Sequence, residues 1–132
     1  MSNLHIYTGG YQGSVGISIR GNCTEPKEIM HLQQALGFVL EIRSLEIWID
    51  CRQLESLSSQ AQRALLQLDR QARKEGIKLH WCGLPSDVAT HLTATGLAEV
   101  LSLLPAQAYR GPQDLLLEEV PTTSRIMAFQ PK

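Results

Sequence analysis

The stretch LEIWIDCRQLESLSSQAQRALLQLDRQARKEG, residues 45–76, decides how this chain is read. Leu45, Ile47 and Ile49 alternate with Glu46, Trp48 and Asp50, the period of a strand with one face buried. A polar passage over residues 51–57 leads to Ser58 and Ser59. Beyond them Ala61, Ala64, Leu65, Leu68 and Ala72 recur at helical spacing, with Gln62, Arg63, Gln67, Arg70 and Lys74 on or beside the other side. Ser59-Gln60-Ala61-Gln62 fits a capping box, in which the Ser59 hydroxyl accepts from a first-turn amide and Gln62 reaches back. Gly76, preceded by Arg73 and Lys74, suits the C-terminal end. Strand, serine turn and helix in this order set two hydroxyls at a helix N-terminus on the rim of a sheet.

Upstream, Leu4, Ile6 and Thr8 alternate with His5 and Tyr7, and Val15, Ile17 and Ile19 with Gly16, Ser18 and Arg20. Gly9, Gly10 and Gly13 connect the two runs, which suggests neighbouring antiparallel strands. Thr24-Glu25-Pro26 reads as a helix start. Ile29, Leu32, Leu36 and Leu40 then carry a helix of about four turns to Ile42 or Arg43. Gly37 inside it either weakens the helix or permits close packing.

Downstream, Ile77, Leu79 and Trp81 make a fourth strand, and Ser86 caps a short helix that Gly96 ends, with Leu97 folding back as an apolar clasp. Val100, Leu101, Leu103 and Leu104 form a fifth strand. Gly111-Pro112-Gln113-Asp114 followed by Leu115, Leu116 and Leu117 suggests a last helix to about Glu119, and residues 121–132 read as a loose tail. The expectation is a single α/β domain over residues 1–120, with a mixed sheet of about five strands. Strands that alternate with helices lie parallel with right-handed crossovers. Because each strand alternates apolar and polar residues, four helices should cover mainly one face and leave the other partly open. Trp48, His80 and Cys82 would share that open face.

Composition narrows the function. The 132 residues are 43% hydrophobic and 19% charged, a folded composition with enough chain to bury a core without disulfides. A net charge of −1 gives no reason to expect nucleic acid or anionic lipid as partner. The N-terminal residues lack the basic segment and apolar core of a signal peptide, and no apolar run is long enough to span a bilayer. Cys23, Cys51 and Cys82 are odd in number and share no CxxC spacing, so they read as reduced thiols in a cytoplasmic protein. There is no glycine-rich phosphate loop, HExxH or GxSxG, and no metal or cofactor is expected. His5, His31, His80 and His91 are dispersed, and none is paired in sequence with a nucleophile.

In this order and spacing the landmarks resemble the STAS domain family of anti-sigma factor antagonists and sulfate-transporter termini, over about residues 13–104. Arg20-Gly21 closes the early strand, Ile49-Asp50 matches the strand end, and Ser58-Ser59-Gln60-Ala61 falls where the family carries Asp-Ser-Ser-Gly. Residues 73–79 match the passage from glycine into the next strand, and Thr95-Gly96-Leu97 the last landmark. The resemblance implies a non-enzymatic bacterial regulator that binds a serine kinase of the anti-sigma type, with Ser59 at the phosphorylated position. Asp50, Ser58, Ser59, Gln60, Gln62 and Arg63 are the partner-binding candidates it implies. Ser58 replaces the family's aspartate, Gln60 its second serine, Ala61 its glycine, and Thr24 an early aspartate. Two alternatives stand beside this reading. One is a small subunit of a lipid-transport ATPase complex. The other is a small-ligand sensor that uses the open sheet face around Trp48.

Overall fold

In a computed structural model, residues 4–11 and 14–117 are described. Strands β1 (Leu4–Tyr11) and β2 (Ser14–Cys23) pair antiparallel, with Leu4 opposite Gly21 and Ile6 opposite Ile19. Helix α1 (Pro26–Leu40) follows, then β3 (Glu46–Asp50), β4 (Leu54–Leu57), α2 (Ser59–Lys74) and β5 (Lys78–Cys82). The chain continues through α3 (Ser86–Thr95), α4 (Leu97–Val100) and β6 (Ser102–Leu104), and then through two short 3-10 turns at Ala106–Ala108 and Gln113–Leu116. The strand order is β1-β2-β3-β5-β6, with β4 paired to β2. Every pairing except β1 with β2 is parallel, as alternation of strands with helices requires.

The core forms where the alternating strand residues meet the helical stripes. Ile17, Ile47, Ile49, Leu79 and Trp81 face Leu32, Leu36, Val39, Ala61, Leu65 and Ala72 in one buried cluster. Parallel register sets Ile17 beside Ile49 and Ile49 beside Trp81, so the apolar faces stack in one layer. The alternate residues, Gly16, Ser18, Trp48, Asp50, His80 and Cys82, line the second face.

That face is not open. The Trp48 and His80 rings stack at 4.1 Å, and Tyr109, Pro112 and Leu115 lie over the middle of the sheet. A Cβ on Gly16 would come within 2.7 Å of the Tyr109 hydroxyl and 2.8 Å of Pro112. Glycine is what lets the segment lie flat there. Cys82 is buried as well.

The structure differs from the sequence expectation at five further places. The sheet has six strands, because the polar passage contains β4. Its buried residues, Leu54 and Leu57, are three apart and show no two-residue period. A register shift between Gly21 and Asn22 of β2 accommodates them. Helix α1 is capped at Glu25, whose N–H and that of Thr24 donate to the Glu28 carboxylate at 3.1 Å. It ends at Leu40, and Arg43 then turns the chain at φ 64°. The fifth strand expected from Val100 onward is β6 alone. Gly96, at φ 84°, ends α3 and at once opens α4, which takes Leu97 and Val100. The last helix is a single 3-10 turn, and its expected end at Glu119 and the tail after it lie outside the described residues.

Gly37 does not serve close packing within the chain. A Cβ there would meet nothing within 4 Å. Gly37→Ala should therefore raise stability by about 1 kcal/mol through helix propensity alone, read as a rise of a few degrees in the thermal midpoint. A drop would show that the site holds no room for a methyl group.

Candidate functional site

The chain reaches the serine pair along β4. The Ser58 N–H donates to the Cys23 carbonyl at 3.0 Å, which ties the end of β4 to the end of β2. Ser58 itself is extended, at φ −72° and ψ 167°, and is the N-cap of α2. Its hydroxyl accepts from the Ala61 N–H at 3.1 Å, and its carbonyl accepts from the Gln62 N–H at 2.9 Å. This satisfies one of the helix's unpaired first-turn donors.

Ser59 is thus not the cap but the first helical residue. It is exposed, and its hydroxyl makes no hydrogen bond among the described residues. The expected capping box fails for the same reason. Gln62 is one position off the reach-back geometry for Ser58, and its amide turns inward, where the residue is 2% exposed. Its Nε2 donates to His91 Nδ1 at 3.0 Å, and Leu57 O lies 3.5 Å away. Its Oε1 lies 3.1 Å from the Thr95 hydroxyl, whose single proton is shared with the Leu92 carbonyl at the same distance. Donation from Gln62 requires His91 to accept at Nδ1, so the neutral ring carries its proton on Nε2. One amide therefore locks the start of α2 against α3.

The six candidate residues divide. Ser59, Gln60 and Arg63 are exposed and Ser58 is half-buried, all on the first turns of α2. Arg63 follows Ser59 by four residues, which sets the two on one helix face. Asp50 and Gln62 do not belong to that surface. Asp50 is 1% exposed on the second sheet face, where its carboxylate accepts from Ser18 Oγ at 3.1 Å, Arg52 Nε at 2.9 Å and the Arg52 N–H at 3.2 Å. Burying a carboxylate is expensive unless it is fully bonded, and these contacts make Asp50 a positioning residue. The supporting contacts of His91, Thr95, Ser18 and Arg52 could not be read from the sequence, because they span 29 to 33 residues or, for Arg52, bend back inside a turn.

The thiols near this scaffold are held protonated. Burial, reinforced by Glu28, pushes Cys23 up to about 11. Burial and then Asp50 do the same to Cys82, and Cys51 is raised well above the usual thiol range. All three are free and buried, a poor setting for nucleophilic chemistry. Among the described residues, no group of three or more His, Cys, Asp or Glu is placed to hold a metal ion. No helix there is long and apolar enough to cross a membrane.

The two serines make separable claims. Ser58→Ala should cost about 1 kcal/mol of stability, whereas Ser59→Ala should change it by less than about 0.5 kcal/mol. Urea denaturation of both variants checks this, and equal losses would mean that the cap is shared.

The profile of the STAS domain family matches residues 27–109, more than half of the chain. Comparison with curated proteins finds no match. Among solved structures, the chain is similar to an anti-sigma factor antagonist from Mycobacterium paratuberculosis, with a TM-score of 0.67 at 20% identity over 86% of this chain and 91% of that one. It is also similar to the anti-sigma factor antagonist SpoIIAA in its unphosphorylated form, with a TM-score of 0.65 at 12% identity over 77% of this chain and 88% of that one. At these identities the structural likeness speaks for the fold, and the profile match speaks for the family. The profile match over more than half of the chain shows the family: the chain belongs to the STAS domain family.

Proposed function

We propose that this protein is a non-enzymatic regulator in bacterial cytoplasmic signalling, that the first turns of α2 dock a serine kinase of the anti-sigma type, and that Ser59 is the residue the kinase phosphorylates. Ser58, Ser59, Gln60 and Arg63 form the docking rim. The observation that carries the reading is the division between the two serines. Ser58 spends its hydroxyl on the cap, and Ser59 keeps an exposed hydroxyl at the first helical position.

A phosphate on Ser59 would sit at the positive end of the α2 dipole, beside unpaired first-turn amides and within a turn of Arg63. The helix tolerates it, while nearly two negative charges are added to the rim. A partner that meets the rim with acidic or apolar groups is then repelled. The likeness to solved anti-sigma factor antagonists supports this kind of partner.

A second reading, a subunit of a lipid-transport ATPase complex, draws on one observation. Ser58 replaces the family's aspartate before the acceptor, which removes a charge suited to hold or orient a kinase. The ligand-sensor reading loses its basis, since the sheet face it needs is covered by Tyr109, Pro112 and Leu115.

The test is binding of wild type, Ser59→Asp and Ser59→Ala to a purified anti-sigma-type serine kinase, by calorimetry, with phosphate incorporation followed by mass spectrometry. Ser59→Asp should bind at least about tenfold more weakly. Ser59→Ala should bind like wild type and take up no phosphate. If both variants bind as wild type does, the switch is refuted. Failure of all three to bind, with co-purification of a transport ATPase, would favour the second reading.

A further inference from the structure

The outward face of α1 carries a stripe that the fold does not use. Lys27, Met30, Gln34, Gly37 and Glu41 recur at spacings of three and four, the spacing of a helix-pairing seam. Lys27, Gln34 and Glu41 are exposed, and Met30, an unbranched apolar side chain, is 56% exposed. Lys27 and Glu41 make no ion pair among the described residues. Gly37 floors a groove of about 580 Å³, bounded by Gln34 of α1 and Glu41 at its C-cap, by Gln71 of α2 and Glu75 at its C-cap, and by Arg43, which pairs with Glu75 at 3.1 Å. Since a Cβ at Gly37 would meet nothing, the monomer has no steric need for glycine there.

Read in reverse, the stripe complements itself. Turning one copy end for end about Gln34 sets residue 27 against 41 and 34 against 34, and brings 30 to within one residue, about 1.5 Å along the helix, of 37. A knob then faces a hollow, a cation faces an anion, and an amide that both donates and accepts faces its own copy. This is the pattern of an isologous two-fold contact, in which residue i meets j and j meets i. Met30 and Gly37 are about 10.5 Å apart along the helix, so both knob-and-hollow contacts form at once in a single crossing.

We propose that α1 pairs with α1 of a second copy of this chain, antiparallel about a two-fold axis at Gln34. Met30 of each copy seats over Gly37 of the other, and Lys27 of each lies against Glu41 of the other. One 15-residue helix per copy buries less than the roughly 800 Å² per partner of a standard interface. The dimer therefore dissociates on dilution. The contact is separate from the α2 rim and does not depend on what binds there.

The test is sedimentation equilibrium of wild type, Lys27→Glu, Glu41→Lys, the double variant carrying both changes, and Gly37→Leu, with circular dichroism confirming that each is folded. Wild type should show a monomer–dimer equilibrium. Each single charge reversal should weaken it at least about tenfold, and the double variant, with the charges exchanged, should restore it. Gly37→Leu should abolish it by filling the hollow. A wild type that stays monomeric at every concentration overturns the proposal. So do single reversals that dimerise unchanged, or a double variant that fails to recover.

Discussion

The buried carboxylate of Asp50 ties together parts of the fold that no single strand or helix connects. It sits at the end of β3 with 1% of its surface exposed and three hydrogen bonds from Ser18 and Arg52. The bond to the Arg52 N–H starts the turn, which the Leu54 N–H closes on the Cys51 carbonyl at 3.1 Å. The Gln53 carbonyl then accepts from the Gly21 N–H at 2.9 Å, and β4 joins β2. Five residues after Gln53, Ser58 caps α2. The exposed Ser59 is thus delivered to the rim by a chain of contacts that begins at a group with no surface of its own.

The same carboxylate holds the second face shut. Ser18 bridges it to Arg20, whose guanidinium donates to the Leu115 and Leu117 carbonyls at 2.9 and 2.6 Å. Arg52 donates to the Leu116 carbonyl at 2.7 Å. Two arginines therefore satisfy three consecutive carbonyls at the end of a short helix, where they would otherwise go unpaired. The segment over Gly16 and Trp48 is fixed by charge-assisted bonds as well as by the burial of Leu115 and Tyr109. Leaving the buried Ser18 and Arg20 groups of this network without a partner would cost about 1–3 kcal/mol each, a large share of a domain's stability.

What was legible in the sequence followed from period and punctuation. Ile47 and Ile49, the stripe of α2, and the stops at Gly76 and Gly96 each encode their structure within a few residues. β4 was not legible, because Leu54 and Leu57 are buried across a bulge in a different strand. The cover of the second face was not legible either, since Arg20 meets carbonyls 95 and 97 residues away. At the site, the turn and its residues were readable, but the cap expected at Ser59 falls on Ser58. Which one caps depends on where β4 ends, and a pairing to Cys23 sets that. Asp50 and Gln62 had the residue types of a binding surface and proved to be interior, because each satisfies groups brought together by folding alone.

The measurement that tests this account most directly is residue-resolved hydrogen exchange on Asp50→Asn, which keeps the shape of the side chain and removes its charge. If Asp50 organises both the path to Ser59 and the cover of the second face, amides in residues 54–61 and 113–117 should exchange at least about tenfold faster, while α1 and the centre of β5 stay protected. Unchanged exchange in residues 54–61, or a uniform rise across the whole domain, would contradict it.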